Sequence, residues 1–208
     1  MKITLVKDGK EAIHRMPKHW NDLSLKKYVR IMKVLKDEKI NSDLEKTAKM
    51  IRILTDVLEE DVYRLPVHNI HVLGGYLARF LATEPNDELK HILEFNGIEY
   101  GFHHKLSDIS FGEWVDIDTY ISQGVEDNLH KIMSVLYRPI KYKKDDKYVI
   151  EEYVPCKERD QIMLDNLTVG DFHGVSVFFS SLGRELSIHT VKSSIKNLKE
   201  ARKERETL

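Results

Sequence analysis

The sequence contains a single cysteine, Cys156, among 208 residues, so no disulfide can form within the chain. A lone cysteine is typical of proteins that work in a reducing compartment. Five prolines and ten glycines amount to 15 residues in all, too few for a linker-like, collagen-like or disordered chain. We therefore expect one ordinary folded domain, or two small ones, with a core that needs no cross-link.

Long apolar runs and a surplus of one charge are also missing. The longest apolar stretches, such as residues 175–179, fall well short of the ~20 residues that span a bilayer. The N-terminus lacks the apolar run of a signal peptide. With 33 basic and 34 acidic residues the net charge is −1, whereas binding nucleic-acid phosphates needs at least a local cationic surplus. We therefore expect a cytoplasmic protein that uses no membrane, and we do not expect nucleic acid as its partner.

Three pairs of short apolar segments, separated by turn residues, predict antiparallel β-hairpins. Asp8-Gly9 and Asn96-Gly97 are favoured dipeptides for two-residue hairpin turns, because such turns need positive φ. The third pair is joined by a charged stretch, and its Tyr, Val and Ile residues favour strand. The paired segments are residues 2–6 with 11–15, 92–95 with 98–102, and 141–143 with 148–154.

After each predicted hairpin the chain repeats one short pattern that predicts the start of a helix. A Ser or Thr that can cap the helix follows an apolar residue and precedes an aromatic residue by four positions. These apolar and aromatic residues form the two ends of a hydrophobic staple. In the middle copy Ser110 and Glu113 add a capping box. The three copies are residues 22–28, 108–114 and 166–172.

Apolar periodicity predicts further helices and completes the fold class. One helix follows the capping-box pair Ser42 and Glu45, another lies between Pro66 and Pro85, and a third covers residues 129–137. The class is therefore α+β, predominantly helical, with three short hairpins that are each followed by a capped helix.

The short, polar and turn-prone stretch of residues 84–87 is the predicted boundary between two parts of the chain. Residues 1–87 would contain the first hairpin and a helical part. Residues 88–208 would contain two hairpin–helix units and a C-terminal helix. The alternative is a single domain over residues 1–208.

The C-terminal predicted helix carries a narrow apolar seam with basic residues beside it. The seam residues step by three, four and three positions and are Ile188, Val191, Ile195 and Leu198. Residues 184–208 contain seven basic and four acidic side chains, a balance of +3. This seam is the candidate partner-binding site, and residues 73–81 form a second candidate face. Packing in the core is the commoner role of such stripes and is the alternative for both.

No residue pattern forms a catalytic or metal-binding signature. His68 and His71 lie three residues apart on one predicted helical face, but the rest of a ligand set is missing. Four acidic side chains crowd residues 108–118, where acidic residues suit the positive end of a helix dipole. Cys156 has no local motif of a cysteine enzyme. We therefore expect no catalytic, cofactor-binding or metal-binding residue, and an enzyme is the least favoured function.

Two groups of segments resemble small morphogenesis proteins of tailed bacteriophages. The first consists of residues 109–118, residues 128–139 and a tyrosine-rich hairpin that ends in Glu152-Tyr153. The second consists of residues 53–55 followed by residues 59–62 and Leu65, and it is similar to a pattern in tail assembly chaperones and baseplate-hub assembly factors. The resemblance implies a non-catalytic assembly protein that binds the apolar helical surface of a tail polypeptide.

A structural subunit of the virion is the alternative that the same sequence supports. A ring, connector or hub protein closes by cyclic symmetry, and hairpin edges or a terminal helix can reach the neighbouring subunit. In both cases the expected partners are other phage structural or tail proteins, or further copies of this chain. The expected location is the cytoplasm of the infected host cell, or the virion for a structural subunit.

Overall fold

The computed structural model describes residues 2–7, 10–86, 88–103, 108–145 and 147–177. The first half contains strands β1 (Lys2–Lys7) and β2 (Lys10–Arg15), a 3-10 turn (Trp20–Asp22), and helices α1 (Leu25–Lys36), α2 (Asp43–Thr55), α3 (Glu59–Tyr63) and α4 (Val67–Leu81). The second half contains β3 (Ile92–Phe95), β4 (Ile98–Phe102), α5 (Phe111–Ser122), α6 (Val125–Leu136), β5 (Tyr137–Lys144), β6 (Lys147–Ile150) and α7 (Lys157–Asn166). Residues 169–177 are again helical and are called α8.

The α+β class is confirmed and the three predicted strand pairs are present, although three hairpins is not an exact description of how they assemble. Strands β1 and β2 form a two-stranded sheet, whereas the other two hairpins join into one antiparallel sheet with the order β3-β4-β5-β6. The joint is the pairing of β4 with the first residues of β5, where Phe102 lies opposite Tyr137. Helix α6 ends at Leu136 because Pro139 favours extended backbone at the residue before it, and the chain continues directly as a strand.

All three copies of the repeated pattern begin a helix, as the sequence predicts. Ser24 caps α1, and its hydroxyl accepts a hydrogen bond from the backbone N–H of Lys27. Ser110 caps α5 in a reciprocal capping box with Glu113. Thr168 precedes α8, and the Asp171 carboxylate accepts from the Thr168 N–H at 2.9 Å while the Thr168 hydroxyl accepts from the Asp171 N–H at 3.3 Å.

Two of these helix starts pair with each other. Ser24 lies opposite Thr168 in an antiparallel bridge. The Leu25 N–H donates to the Leu167 carbonyl at 2.8 Å, and the Val169 N–H donates to the Leu23 carbonyl at 3.0 Å. Around this bridge, Leu23 and Val169 lie in one hydrophobic core, and Leu25 and Leu167 lie in another.

The described residues form two hydrophobic cores. The first core lies mainly among α1, α2, α3 and α4, and it also contains Leu23 and Val169. The second core lies among β3, β4, α5, α6 and α7, and it also contains Leu25 and Leu167. Residue 87 lies outside the described residues, and the division into two domains stays a prediction.

Gly174 allows α8 to lie directly against the chain before β3, so its replacement should weaken the fold. A Cβ atom on Gly174 would lie 2.4 Å from the Glu88 carbonyl oxygen, which belongs to the backbone and cannot swing aside. We expect Gly174→Ala to lower the free energy of unfolding by about 1–3 kcal/mol, the usual cost of overpacking. Chemical denaturation followed by circular dichroism measures this change.

Gly75→Ala is the matched control, because a Cβ atom there meets nothing within 4 Å and Gly75 also lies inside a helix. We expect this variant to raise the free energy of unfolding by about 0.5–1 kcal/mol, since alanine loses less backbone entropy than glycine. A gain of similar size in both variants would contradict the close packing of α8.

Candidate functional site

Helix α5 exposes a row of large apolar side chains. Phe111 is 82% exposed, Trp114 58%, Ile121 49% and Val115 41%. Residues three, four and seven positions apart share one side of a helix, so these four side chains lie on one side of α5, together with the exposed Asp118. We call them the α5 outer face. Contiguous apolar patches on a soluble protein mark interaction sites more often than scattered single residues do.

The inner side of α5 is unusually polar for a side that faces a core. Glu113 is only 3% exposed, and Asp116 and Tyr120 are half-buried beside the buried Ile117. An ordinary surface helix places its apolar stripe inward and its charges outward. In α5 most of the large apolar side chains point outward, and two of its three carboxylates point inward. Helix α5 therefore exposes more of its large apolar side chains than it buries.

Glu113 joins α5 to the sheet through a buried ion pair. One carboxylate oxygen lies 2.8 Å from Nη2 of Arg138 on β5, and it lies 3.8 Å from Nε2 of His103, just after β4. The other oxygen accepts a hydrogen bond from the Ser110 N–H at 2.7 Å. Burial lowers the pKa of the Arg138 guanidinium, and the neighbouring Glu113 carboxylate opposes that effect. The pair therefore fixes which side of α5 faces the sheet.

Asp116 and Tyr120 add further links on the same inner side. The Tyr153 hydroxyl donates a hydrogen bond to Asp116, and burial together with this partner raises the pKa of Tyr153, so the phenol keeps its proton. Near the end of α5, Asn128 Nδ2 donates to the carbonyl oxygens of Tyr120 and Gly124, at 3.4 and 3.0 Å. The inner side of α5 is thus held along its whole length.

The aromatic residue of the repeated pattern is exposed in the middle copy, whereas in the other two copies it packs against a core. Tyr28 on α1 packs against both cores, and Phe172 on α8 packs against the second core. Trp114 occupies the equivalent position on α5 but belongs to neither core and is largely exposed. The pattern therefore predicts where the helix begins in each copy. It does not predict that the middle copy directs its aromatic side chain outward.

A second apolar surface lies in a groove of about 480 Å³ among α2, α3 and α4. Its lining includes the exposed side chains of Leu44, Tyr63 and Val67. The nearby carboxylates already have cationic partners, since Glu45 lies 3.0 Å from Lys49. We call this the α2–α4 groove. Ile70 and Val62 at its base belong to the first core.

A larger cleft of about 780 Å³ lies between the end of β2 and α1 and contains basic side chains. Arg15, Lys18 and Lys27 line it together with Asp22. Lys27 already forms an ion pair with Asp56 at 2.5 Å. The cleft holds a mixture of charges and offers no converging set of catalytic groups.

Only one of the two predicted binding faces, residues 73–81, lies within the described residues. The seam residues Ile188, Val191, Ile195 and Leu198 lie outside the described residues. On the 73–81 face, Leu73, Leu77 and Phe80 are buried in the first core. These three side chains therefore pack inside the protein, which is the alternative given above for this face.

The histidine, acidic and cysteine residues considered above as catalytic or metal-binding candidates do not form one site. His68 and His71 are both exposed on α4. Asp118 is exposed on the outer side of α5, away from Glu113 and Asp116. Cys156 is half-buried with its sulfur 3.4 Å from a Glu158 carboxylate oxygen. Among the residues that the structure describes, no group of three or more His, Cys, Asp and Glu side chains is arranged to hold a metal ion.

The Glu113–Arg138 pair should contribute strongly to stability because both partners are buried. We expect Glu113→Gln to lower the free energy of unfolding by about 3–5 kcal/mol, since it leaves the Arg138 charge buried without its counterion. The glutamine can still accept the hydrogen bond from the Ser110 N–H. Urea denaturation at neutral pH measures the difference.

Asp118→Asn makes the same chemical change on the exposed side of the same helix. Its effect should stay within about 0.5 kcal/mol, as for most surface substitutions. Equal changes in the free energy of unfolding for the two substitutions would contradict the assignment of Glu113 to the buried, inner side of α5.

No helix in the described ranges is both long and apolar enough to cross a bilayer. Compared with protein-family models, curated proteins and solved structures, the chain gives no match. A functional proposal for this chain therefore depends on the α5 outer face and on the contacts that hold the inner side of α5.

Proposed function

We propose that this protein is a non-catalytic bacteriophage assembly protein, a tail or baseplate assembly chaperone that works in the cytoplasm of the infected cell. In this proposal the α5 outer face binds an apolar helical segment of a tail polypeptide. The main support is the inversion of α5, which exposes Phe111 and Trp114 and buries Glu113. The sequence resemblance to phage morphogenesis proteins supplies the biological setting.

The shape of the surface suits a helix as the partner. Helix α5 has 12 residues and is about 18 Å long. A partner helix can lay its own apolar row against this face, as amphipathic helices do in groove and bundle contacts. Large aromatic side chains often contribute most of the binding energy in such contacts. Phe111 and Trp114 are therefore the expected anchors.

The polar groups beneath α5 support a binding role rather than a catalytic one. Glu113 is engaged by Arg138 and by the Ser110 N–H, and Asp116 is engaged by Tyr153. On α7, the Arg159 side chain donates to the carbonyl oxygens of Ser134 and Val154, at 2.8 and 2.9 Å. These groups hold structural elements together, whereas catalysis needs groups that face a substrate.

A structural subunit of the virion is the second candidate function. Strand β6 is an edge of the four-stranded sheet, and the exposed Val149 on it lies opposite the exposed Tyr142 on β5. An exposed edge can pair with a neighbouring copy and can close a ring. The α5 outer face would then be an interface between subunits that stays covered in the particle.

Quantitative mass spectrometry of purified particles beside the infected lysate separates these two functions. A transient chaperone should be abundant in the lysate and absent from particles. A ring, connector or hub protein should occur in particles at a fixed ratio to other structural proteins. Absence from every phage-infected lysate would contradict both proposals.

Removing an anchor should weaken partner binding without unfolding the protein. We expect Trp114→Ala to lower affinity for overlapping peptides from the tail polypeptides of the same phage by about 30-fold, a loss typical of an aromatic anchor. Isothermal titration calorimetry measures this affinity. The free energy of unfolding should fall by less than about 1 kcal/mol, because the side chain is largely exposed.

Tyr142→Ala is the matched control, since Tyr142 is 61% exposed and aromatic but lies on β5. Its affinity for the same peptides should equal that of the unmodified chain. Unchanged affinity after Trp114→Ala, or an equal loss in both variants, would exclude the α5 outer face as the binding surface.

A further inference from the structure

We propose that the β6 edge of the four-stranded sheet pairs with the β6 edge of a second copy of this chain. The two strands would run antiparallel about a twofold axis at Val149, so that the sheets of the two copies continue into each other. This inference goes beyond the proposed function, because it does not use the α5 outer face. A twofold pairing closes with two copies, whereas a ring needs head-to-tail contacts.

Strand β6 lies at the end of the strand order and directs part of its backbone away from the sheet. The Glu151 N–H donates to the Pro139 carbonyl at 2.9 Å, so the backbone of residue 151 faces β5. In an antiparallel pair, the backbone groups of successive residues point alternately toward and away from the neighbouring strand. The N–H and C=O of Ile150 therefore point to the side from which another strand can approach.

The side chains along this edge are apolar and exposed. Val149 is 57% exposed, and Tyr142, which lies opposite it on β5, is 61% exposed. An axis at Val149 would place the two valines of the dimer opposite each other, each with a tyrosine on its other side. Cross-strand neighbours of the aromatic and β-branched types stabilise antiparallel sheets. The second copy would thus extend an apolar row that now ends at solvent.

The alternation of side chains limits the twofold registers that are possible. Tyr148 is only 6% exposed whereas Val149 is largely exposed, as expected for neighbours on opposite faces of a strand. Directly opposed residues of paired strands must share a face, because a slip of one residue moves every side chain to the other face. The axis must therefore pass through a residue, which leaves Tyr148, Val149 and Ile150.

Charge complementarity selects the axis at Val149. In that register Lys147 of each copy lies opposite Glu151 of the other copy, and the twofold axis produces this pair twice. An axis at Tyr148 would place Lys147 opposite Val149, and an axis at Ile150 would place Glu151 opposite Val149. Neither of those registers joins two opposite charges.

The surroundings of Lys147 within one copy favour the same register. Its cross-strand neighbour on β5 is Lys144, and like charges directly opposite each other destabilise a sheet. Within the described ranges, neither Lys147 nor Glu151 forms an ion pair. A carboxylate from a second copy would therefore balance a lysine pair, and no existing ion pair has to be broken.

Strand β3, at the other edge of the sheet, suits such a pairing less well. Its exposed charge is Glu94, and a twofold axis at Ile92 would place Lys90 of a second copy opposite it. Lys90 already pairs with Asp171 at 2.6 Å. Pairing through β3 would have to compete with that contact, whereas pairing through β6 would not.

Sedimentation velocity of the full chain at increasing concentrations tests the proposal. We expect the unmodified chain to pass from monomer to dimer and to form nothing larger. Lys147→Glu and Glu151→Lys should each weaken dimerisation by about tenfold, because each replaces two attractive pairs with two repulsive ones. The combined variant should dimerise like the unmodified chain, since it only exchanges the two charges.

A mixture of the two single variants gives a second, independent test of the register. One variant carries carboxylates at both positions and the other carries ammonium groups at both. Their equimolar mixture should therefore form mixed dimers about as tightly as the unmodified chain dimerises. Lys39→Glu makes the same charge change at an exposed site in the first half of the chain, and it should leave dimerisation unchanged. Circular dichroism checks that each variant is folded.

Several results would overturn the proposal. These are a monomeric unmodified chain at every concentration, assembly beyond the dimer, and single variants that dimerise like the Lys39→Glu control. A combined variant that stays as weak as the single variants would also overturn it, because the two positions would then not face each other.

Peptide affinity separates failure of this inference from failure of the proposed function. The Lys147→Glu variant should bind the tail peptides as tightly as the unmodified chain, and Trp114→Ala should dimerise normally, because the two surfaces are distinct. Loss of dimerisation in Trp114→Ala would overturn the assignment of the dimer contact to β6. Equal peptide affinity of Trp114→Ala and the unmodified chain would overturn the proposed function and leave the β6 pairing intact.

Discussion

The pairing of two helix starts is the constraint on which the rest of the fold depends. Two backbone hydrogen bonds join residues 23–25 to residues 167–169, and at this junction Leu23 and Val169 lie in one core while Leu25 and Leu167 lie in the other. Both cores are therefore completed by residues from distant parts of the chain. The same pairing fixes where α7 ends and where α8 begins.

Helix α5 packs on the second core through a side that is mostly polar. The buried Glu113–Arg138 pair replaces apolar packing that an ordinary helix would use. A buried ion pair of this kind tolerates little rotation, since each partner loses its counterion if the helix turns. The polar side thus holds α5 in one orientation, and the large apolar side chains stay on the surface.

Local signals in the sequence predict much of the fold but not the candidate site. Caps and turn dipeptides identify α1, α5 and the β3–β4 hairpin, because each depends on a few neighbouring residues. Helix α7 has no such signal, since it buries only Arg159 and Met163 and shows no regular apolar period. The contact of Glu113 with Arg138 joins α5 to β5, and only the folded chain brings these elements together. The outward direction of Trp114 follows from that contact, so the helix-start pattern could not predict it.

Site-specific photo-crosslinking in infected cells tests the central claim, that the α5 outer face binds a helical tail polypeptide. A photoreactive phenylalanine replaces Phe111 in one full-length protein and Tyr142 in another, since both side chains are exposed. The account predicts that position 111 crosslinks to one apolar helical segment of a tail polypeptide and that position 142 does not. The same crosslinked segment from both positions, or no crosslink from position 111, would contradict it.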